Sequence, residues 1–241
     1  MKRNTVKKIA LGFFVLALAL GAARQAQAQD TKNPYPSMAP LEQYLMPDRN
    51  AEIALARSAA PPSISKDATV MVLGRQGYET AVEGKNGFVC IVDRGWTDAF
   101  NRPEFWNPKN RGPLCLNPPA ARSIVPITLL RTRLVLAGKS KDEIKESVKA
   151  AVENKELPAL EPGAMTYMMS KQGRLSDSAG HWVPHLMFYV PVTDAVTWGA
   201  GAPGSPVLVN PQFTGAPEPV TEFMVPVSEW SDGTPADMDG H

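Results

Sequence analysis

Gly74-Arg75-Gln76-Gly77-Tyr78-Glu79-Thr80-Ala81-Val82-Glu83-Gly84-Lys85-Asn86-Gly87-Phe88-Val89-Cys90-Ile91-Val92 is the stretch on which the fold turns. Two β-prone runs, Tyr78 to Val82 and Phe88 to Val92, are separated by glycines and an Asn-Gly pair, the strongest short hairpin signal. With Asn86-Gly87 as a two-residue turn, Lys85 faces Phe88, Val82 faces Ile91 and Glu79 faces Arg94. The Glu79–Arg94 pair then reads as a surface cross-strand contact.

The second of these strands carries Cys90, and the only other cysteine is Cys115. Two cysteines in an exported chain predict a Cys90–Cys115 disulfide, structural because its spacing is not C-x-x-C. The clasp closes a long excursion holding Trp96, Phe100, Phe105 and Trp106, where Pro103, Pro108 and Pro113 exclude a continuous helix. So many aromatic residues in one loop predict that it folds back over a sheet.

Export follows from the first residues. Lys2, Arg3, Lys7 and Lys8 precede the apolar run Ile9 to Leu20, and Ala26-Gln27-Ala28 supplies a small-residue cleavage site. This is the pattern of a signal peptide spanning residues 1–28. The run falls short of the ~20 residues needed to span a bilayer. The expectation is a periplasmic or extracellular protein without an integral membrane segment after cleavage. Residues 1–28 hold five of the 25 basic residues and no acid, so the remainder carries 20 basic against 24 acidic residues, or −4 with histidine neutral. A mildly acidic chain without a basic stripe is a poor nucleic-acid binder. All 23 prolines follow residue 28, well above the usual ~5%, which predicts short elements joined by rigid loops.

Outward from the hairpin, residues 29–46 read as an extended arm, residues 47–230 as a single domain and residues 231–241 as a mobile acidic tail. Asp48-Arg49-Asn50 opens a helix that ends before Pro61-Pro62, and Ala68 to Leu73 is a buried strand. Asn117-Pro118 starts a mostly buried helix toward Gly138, bent or restarted at Pro126. Its Arg122, Arg131 and Arg133 read as solvated or salt-bridged side chains. Ser140 and Glu143 form a capping box ahead of an amphipathic helix with Ile144, Val148 and Val152 inward. Strands follow at Met165–Ser170, His185–Val190 and Glu222–Val227, the last placed at an edge because of Pro226. The order predicts an α+β fold: a mainly antiparallel sheet whose two sheet-forming regions flank a central helical pair, loop-rich and with one disulfide.

Chemistry-bearing motifs are sparse. His181 and His185 stand four apart, but Pro184 disfavours a helix there; in an extended segment they lie about 13 Å apart. Met165, Met168, Met169 and Met187 lie on the adjoining strands, and thioethers with imidazole suit copper(I); core packing is the plainer reading. Ser63-Ile64-Ser65-Lys66 matches S-x-x-K without the K-T-G that would complete it. Asp237-Met238-Asp239-Gly240 resembles the start of a calcium loop that the chain does not continue. No G-x-S-x-G, zinc tetrad, phosphate loop or haem motif is present, and no cofactor is implied. The leading expectation is a non-catalytic module that binds a small molecule or a protein partner through Trp96, Phe105, Trp106, His181, His185 and Tyr189. The alternatives are a metal-binding protein or metal-dependent enzyme using His181, His185 and Met187, and a structural envelope-associated protein.

Overall fold

The computed structural model describes residues 33–177, 182–209 and 216–237. They form an α+β fold around one eight-stranded sheet. Its strands are β1 (Thr69–Gly74), β2 (Gly77–Val82), β3 (Val89–Asp93), β4 (Gly112–Leu116), β5 (Met165–Met168), β6 (His185–Pro191), β7 (Leu208–Val209) and β8 (Val220–Pro226), in spatial order β2-β1-β3-β4-β5-β6-β8-β7. Every pairing is antiparallel except β1 with β3. Both sheet-forming regions of the sequence therefore belong to one sheet, joined where β4 pairs with β5.

The hairpin at Asn86-Gly87 does not form. The tight turn is Arg75-Gln76, with Gly74 opposite Gly77, and β2 is the outer strand. Gly77 has a φ of 118°, which a side chain would resist. The reason is burial. Glu79 and Thr80 are exposed and suit an edge, whereas Cys90, Ile91 and Val92 are buried and need neighbours on both sides, which β1 and β4 supply. Residues 83–88 instead carry the chain across the end of β1. Asn86 donates to the Ile64 carbonyl at 2.8 Å and accepts from the Phe88 amide. Gly84 lies so close to β1 that a Cβ there would sit 2.1 Å from the Thr69 nitrogen. The Glu79–Arg94 pair is dissolved too: Glu79 pairs with Arg49, and Arg94 with Glu52.

Cys90 and Cys115 stand directly opposite on β3 and β4 and are bridged. Both are fully buried beneath α1 (Arg49–Arg57), with Leu55, Ala56, Val70, Val72 and Val92 around them. Asp48 caps α1 by accepting from the Asn50 amide. After it, α2 (Pro62–Ser65) is a single turn.

The opposite face of the sheet is covered by α3 (Pro118–Ser123), α4 (Val125–Leu136) and, further out, α5 (Lys141–Glu153). Asn117 accepts from the Ala120 amide with Pro118 at the first helical position, and the helix restarts beside Pro126. The Ser140–Glu143 capping box is formed.

Residues 33–46 pack with the rest of the fold. Tyr44 is fully buried; its hydroxyl donates to the Trp106 carbonyl at 2.8 Å and its own carbonyl accepts from Arg94 Nε. At the other end Ser231 binds the Met169 carbonyl and Asp232 pairs with Lys171, so the tail begins docked. The strand ending at Pro226 is not an edge. β7 covers β8 only at Phe223 and Met224, so no ladder bond is asked of Pro226 on that side. Among the described residues no helix is long and apolar enough to cross a membrane.

Candidate functional site

Strand periodicity dictates which side chains share a face. On β6, His185, Met187 and Tyr189 point to the side covered by α4, and the register sets Met168 and Pro226 beside His185, Met224 beside Met187, and Glu222 beside Tyr189. Leu114 and Leu116 of β4 continue this floor. Ile127, Thr128 and Arg131 on α4 form the opposite wall. A third wall comes from Asp93 at the end of β3, from Asp98 and Arg102 in the chain that follows, and from Asn110 before β4. Between them lies a cavity of about 380 Å³, within the range of small-molecule sites.

Its apolar part is built from Met168, Met187, Met224, Leu114, Leu116 and Ile124. The polar end is crowded with charge. Arg131 is buried and gives Nε and Nη2 to one oxygen of Glu218, at 2.9 and 2.6 Å. Its remaining nitrogen binds the carbonyls of Thr97 and Asp98, at 3.0 and 2.7 Å, and its guanidinium lies 4.3 Å from the centre of the Phe100 ring. Arg102 pairs with Asp98 at 2.8 Å. Arg94 is turned the other way, toward Glu52 at 2.8 Å and the Tyr44 carbonyl at 2.9 Å. Each of these arginines is thus already neutralised.

Asp93, the last residue of β3, sits on the cavity face opposite Gly112. Burial pushes its carboxyl up to about 7, against the opposing pull of a Thr97 hydrogen bond and the charges of Arg94 and Arg131. It can therefore exchange a proton with a bound molecule near neutrality, or accept from a donor. Burial also raises Asp98, although Arg102 counters it. Tyr189 is raised well above the usual phenol range by burial and by the neighbouring charge of Glu222.

His185 is buried, and burial lowers its pKa. Its Nδ1 lies 2.8 Å from the Val183 carbonyl, so that nitrogen carries the proton and Nε2 keeps its lone pair. Trp182 closes this end: its indole donates to the Met168 carbonyl at 3.1 Å and stands edge-on to His185. Trp182 lies against Gly173, where a Cβ would come within 2.1 Å of the ring.

Of the residues singled out in the sequence, His185, Met187 and Tyr189 line this cavity. His181 lies outside the described residues. Trp96, Phe105 and Trp106 do not line it; they are buried in the core between the N-terminal segment, α4 and α5. Trp96 donates to Thr132 at 3.0 Å and packs on Tyr44; Phe105 stacks on Phe100 and stands edge-on to Trp106. The sequence reading missed Asp93, Asn110, Glu218 and Glu222; of its two alternatives for Arg131, solvated or salt-bridged, the structure shows the second, with Glu218 as the partner. The available signal was an acid at an inward position of an apolar strand, as in Cys90-Ile91-Val92-Asp93 and Val220-Thr221-Glu222-Phe223-Met224.

Among the described residues no three His, Cys, Asp or Glu side chains are grouped to hold a metal ion. No protein-family model, curated protein or solved structure matches the chain.

Proposed function

We propose that this is a non-catalytic binding module that takes a small, largely apolar molecule into the cavity between α4 and the β4-β5-β6-β8 face. The observation that carries the reading is the cavity itself: about 380 Å³, apolar along the sheet and polar at one end. That combination gives affinity through apolar burial and orientation through a few polar groups. The test is saturable binding of the neutral fluorophore N-phenyl-1-naphthylamine, with Thr128→Phe as the control that fills the cavity from α4. Absence of saturable binding, or binding untouched by Thr128→Phe, rejects the reading.

The same proposal includes export by residues 1–28, supported by the signal pattern and by the buried disulfide, a bond that persists in oxidising compartments. The mass of the protein recovered from cells, with or without residues 1–28, decides it.

A second reading has one observation in its favour. Met168 faces His185 and Met187 faces Met224 on adjacent strands, and all four line the cavity. With Nδ1 held by Val183, His185 offers Nε2 beside three thioethers, a donor set suited to copper(I). Competition with a bicinchoninate chelator measures this directly; a protein that retains no copper(I) is not a carrier of it.

A further inference from the structure

Five buried side-chain polar atoms among the described residues have no hydrogen-bond partner: Arg57 Nε, Asp93 Oδ1, Asn110 Oδ1, Arg174 Nε and Glu218 Oε2. The three oxygens belong to residues lining this same cavity, and the two nitrogens to residues that do not. Buried acceptors without partners are costly and rare in folded proteins, so three at one site call for an explanation.

Each is left open by the way its neighbours are used. Glu218 is 5% exposed, and Arg131 spends both donors that reach it on Oε1. The remaining Arg131 nitrogen is taken by backbone carbonyls. Asn110 is 2% exposed and turns Nδ2 toward the Glu104 carbonyl at 3.5 Å. Flipping the amide would set oxygen against oxygen, so Oδ1 is the atom left over. Asp93 has Arg94 next to it in the chain, but that guanidinium is committed to Glu52, Tyr44 and Val92. Arg102 is held by Asp98. The cavity thus has surplus acceptors: Arg94, Arg102 and Arg131 are paired with Glu52, Asp98 and Glu218, and Asp93 has no ion-pair partner among the described residues.

We propose that the ligand is a cationic amine: a flat or branched apolar body on the methionine-lined floor, with an ammonium-type head donating to Asp93, Asn110 and Glu218. This rests on the small-molecule reading above and adds the class of ligand. A carboxylate or phosphate head would meet the unpaired Asp93 carboxylate beside arginines that already have acidic partners. A neutral alcohol has one hydrogen to give, where a primary ammonium has three, matching the number of open acceptors. Charge-assisted bonds in a site screened from water add the selectivity.

Three probes with one apolar body separate these cases: 1-naphthylmethylamine, 1-naphthylmethanol and 1-naphthoate, titrated calorimetrically against the protein at pH 8. The expected order is amine tightest, by tenfold or more over the alcohol, with the carboxylate weakest. Asp93→Asn and Glu218→Gln should each erode the amine's advantage over the alcohol by about tenfold. The wild-type ranking alone is decisive if a variant does not fold. Equal binding of amine and alcohol, or tighter binding of the carboxylate, overturns the assignment. If N-phenyl-1-naphthylamine binds and the amine shows no advantage, the head-group inference fails and the cavity reading stands. If neither that fluorophore nor any naphthyl probe binds, both fail.

Discussion

Arg131 directs Nε and Nη2 at the same oxygen of Glu218, Oε1, at 2.9 and 2.6 Å, and leaves Oε2 without a partner at the cavity wall. The pair joins α4 to the segment leading into β8, elements 87 residues apart in sequence. Both side chains are buried, so the consequence of breaking the pair differs from that of replacing it. Glu218→Ala should destabilise the fold by about 3–5 kcal/mol, because Arg131 would remain buried without its counter-ion. Combining Glu218→Leu with Arg131→Met should cost much less than the sum of the two single changes. Urea denaturation of the four proteins in that cycle measures the coupling.

Glu52 and Glu79 give a sharper contrast, because one arginine separates the two readings. Glu52 accepts from Arg94 at 2.8 Å and from the Leu73 amide at 3.1 Å, out of solvent. Glu79 meets Arg49 at the surface. Glu52→Ala should cost several kcal/mol, on the order of 3–5, as removal of one member of a buried pair. Glu79→Ala should change stability by less than about 1 kcal/mol, and less still at high salt. Similar losses for the two would contradict the assignment of Arg94 to Glu52.

These residues also mark how far the sequence could be read. Local signals survived: the Asn117-Pro118 start, the restart at Pro126 and the Ser140–Glu143 box depend on neighbours within a few positions, and all are formed. The cystine was legible because only one pairing existed. The hairpin register was not. Asn86-Gly87 has the composition of a tight turn, yet Asn86 spends its side chain on Ile64 and the loop crosses over β1. Tertiary burial of Val89 to Val92 outweighed local turn preference. The cavity was half legible: alternation placed His185, Met187 and Tyr189 together, but their partners Asp93, Glu218 and Arg131 arrive from distant segments. Trp96, Phe105 and Trp106 pack in the core away from this cavity, and Phe105 and Trp106 border a separate hollow beside residues 33–38.

Asp93 makes stability depend on pH in a direction opposite to that of a salt-bridged acid. Its folded pKa, about 7, lies above the ordinary carboxylate value of 3.8. Between those values the native state holds a proton that the unfolded chain has released, so this group's contribution to stability falls as pH rises from about 4 to about 7. Above about 7 the contribution is constant, because both states are ionised. Asp93→Asn removes the titration and should raise the melting temperature at pH 8 relative to wild type, with little difference at pH 4. Thermal scans of both proteins across that range measure it. A wild type whose advantage over the variant grows with pH would show that Asp93 is stabilised as a carboxylate.

Gly173 tests whether Trp182 shapes the cavity. A Cβ at that position would lie 2.1, 2.4 and 2.7 Å from three carbons of the Trp182 ring, distances at which the indole must move. The ring is anchored through its nitrogen to the Met168 carbonyl and lies edge-on to His185, so it cannot rotate away without giving up that bond. Gly173→Ala should therefore cost about 1–3 kcal/mol, the usual range for overpacking, while Gly163→Ala, with nothing within 4 Å of its Cβ, should pay only the strain of its positive φ of 80°. The two variants differ in a second readout. Displacing Trp182 from the cavity wall should shift the tryptophan emission to the red and weaken N-phenyl-1-naphthylamine binding, neither of which strain at Gly163 would do. If Gly173→Ala loses stability but keeps both the emission and the binding of wild type, the tryptophan packs against the glycine without forming part of the ligand wall.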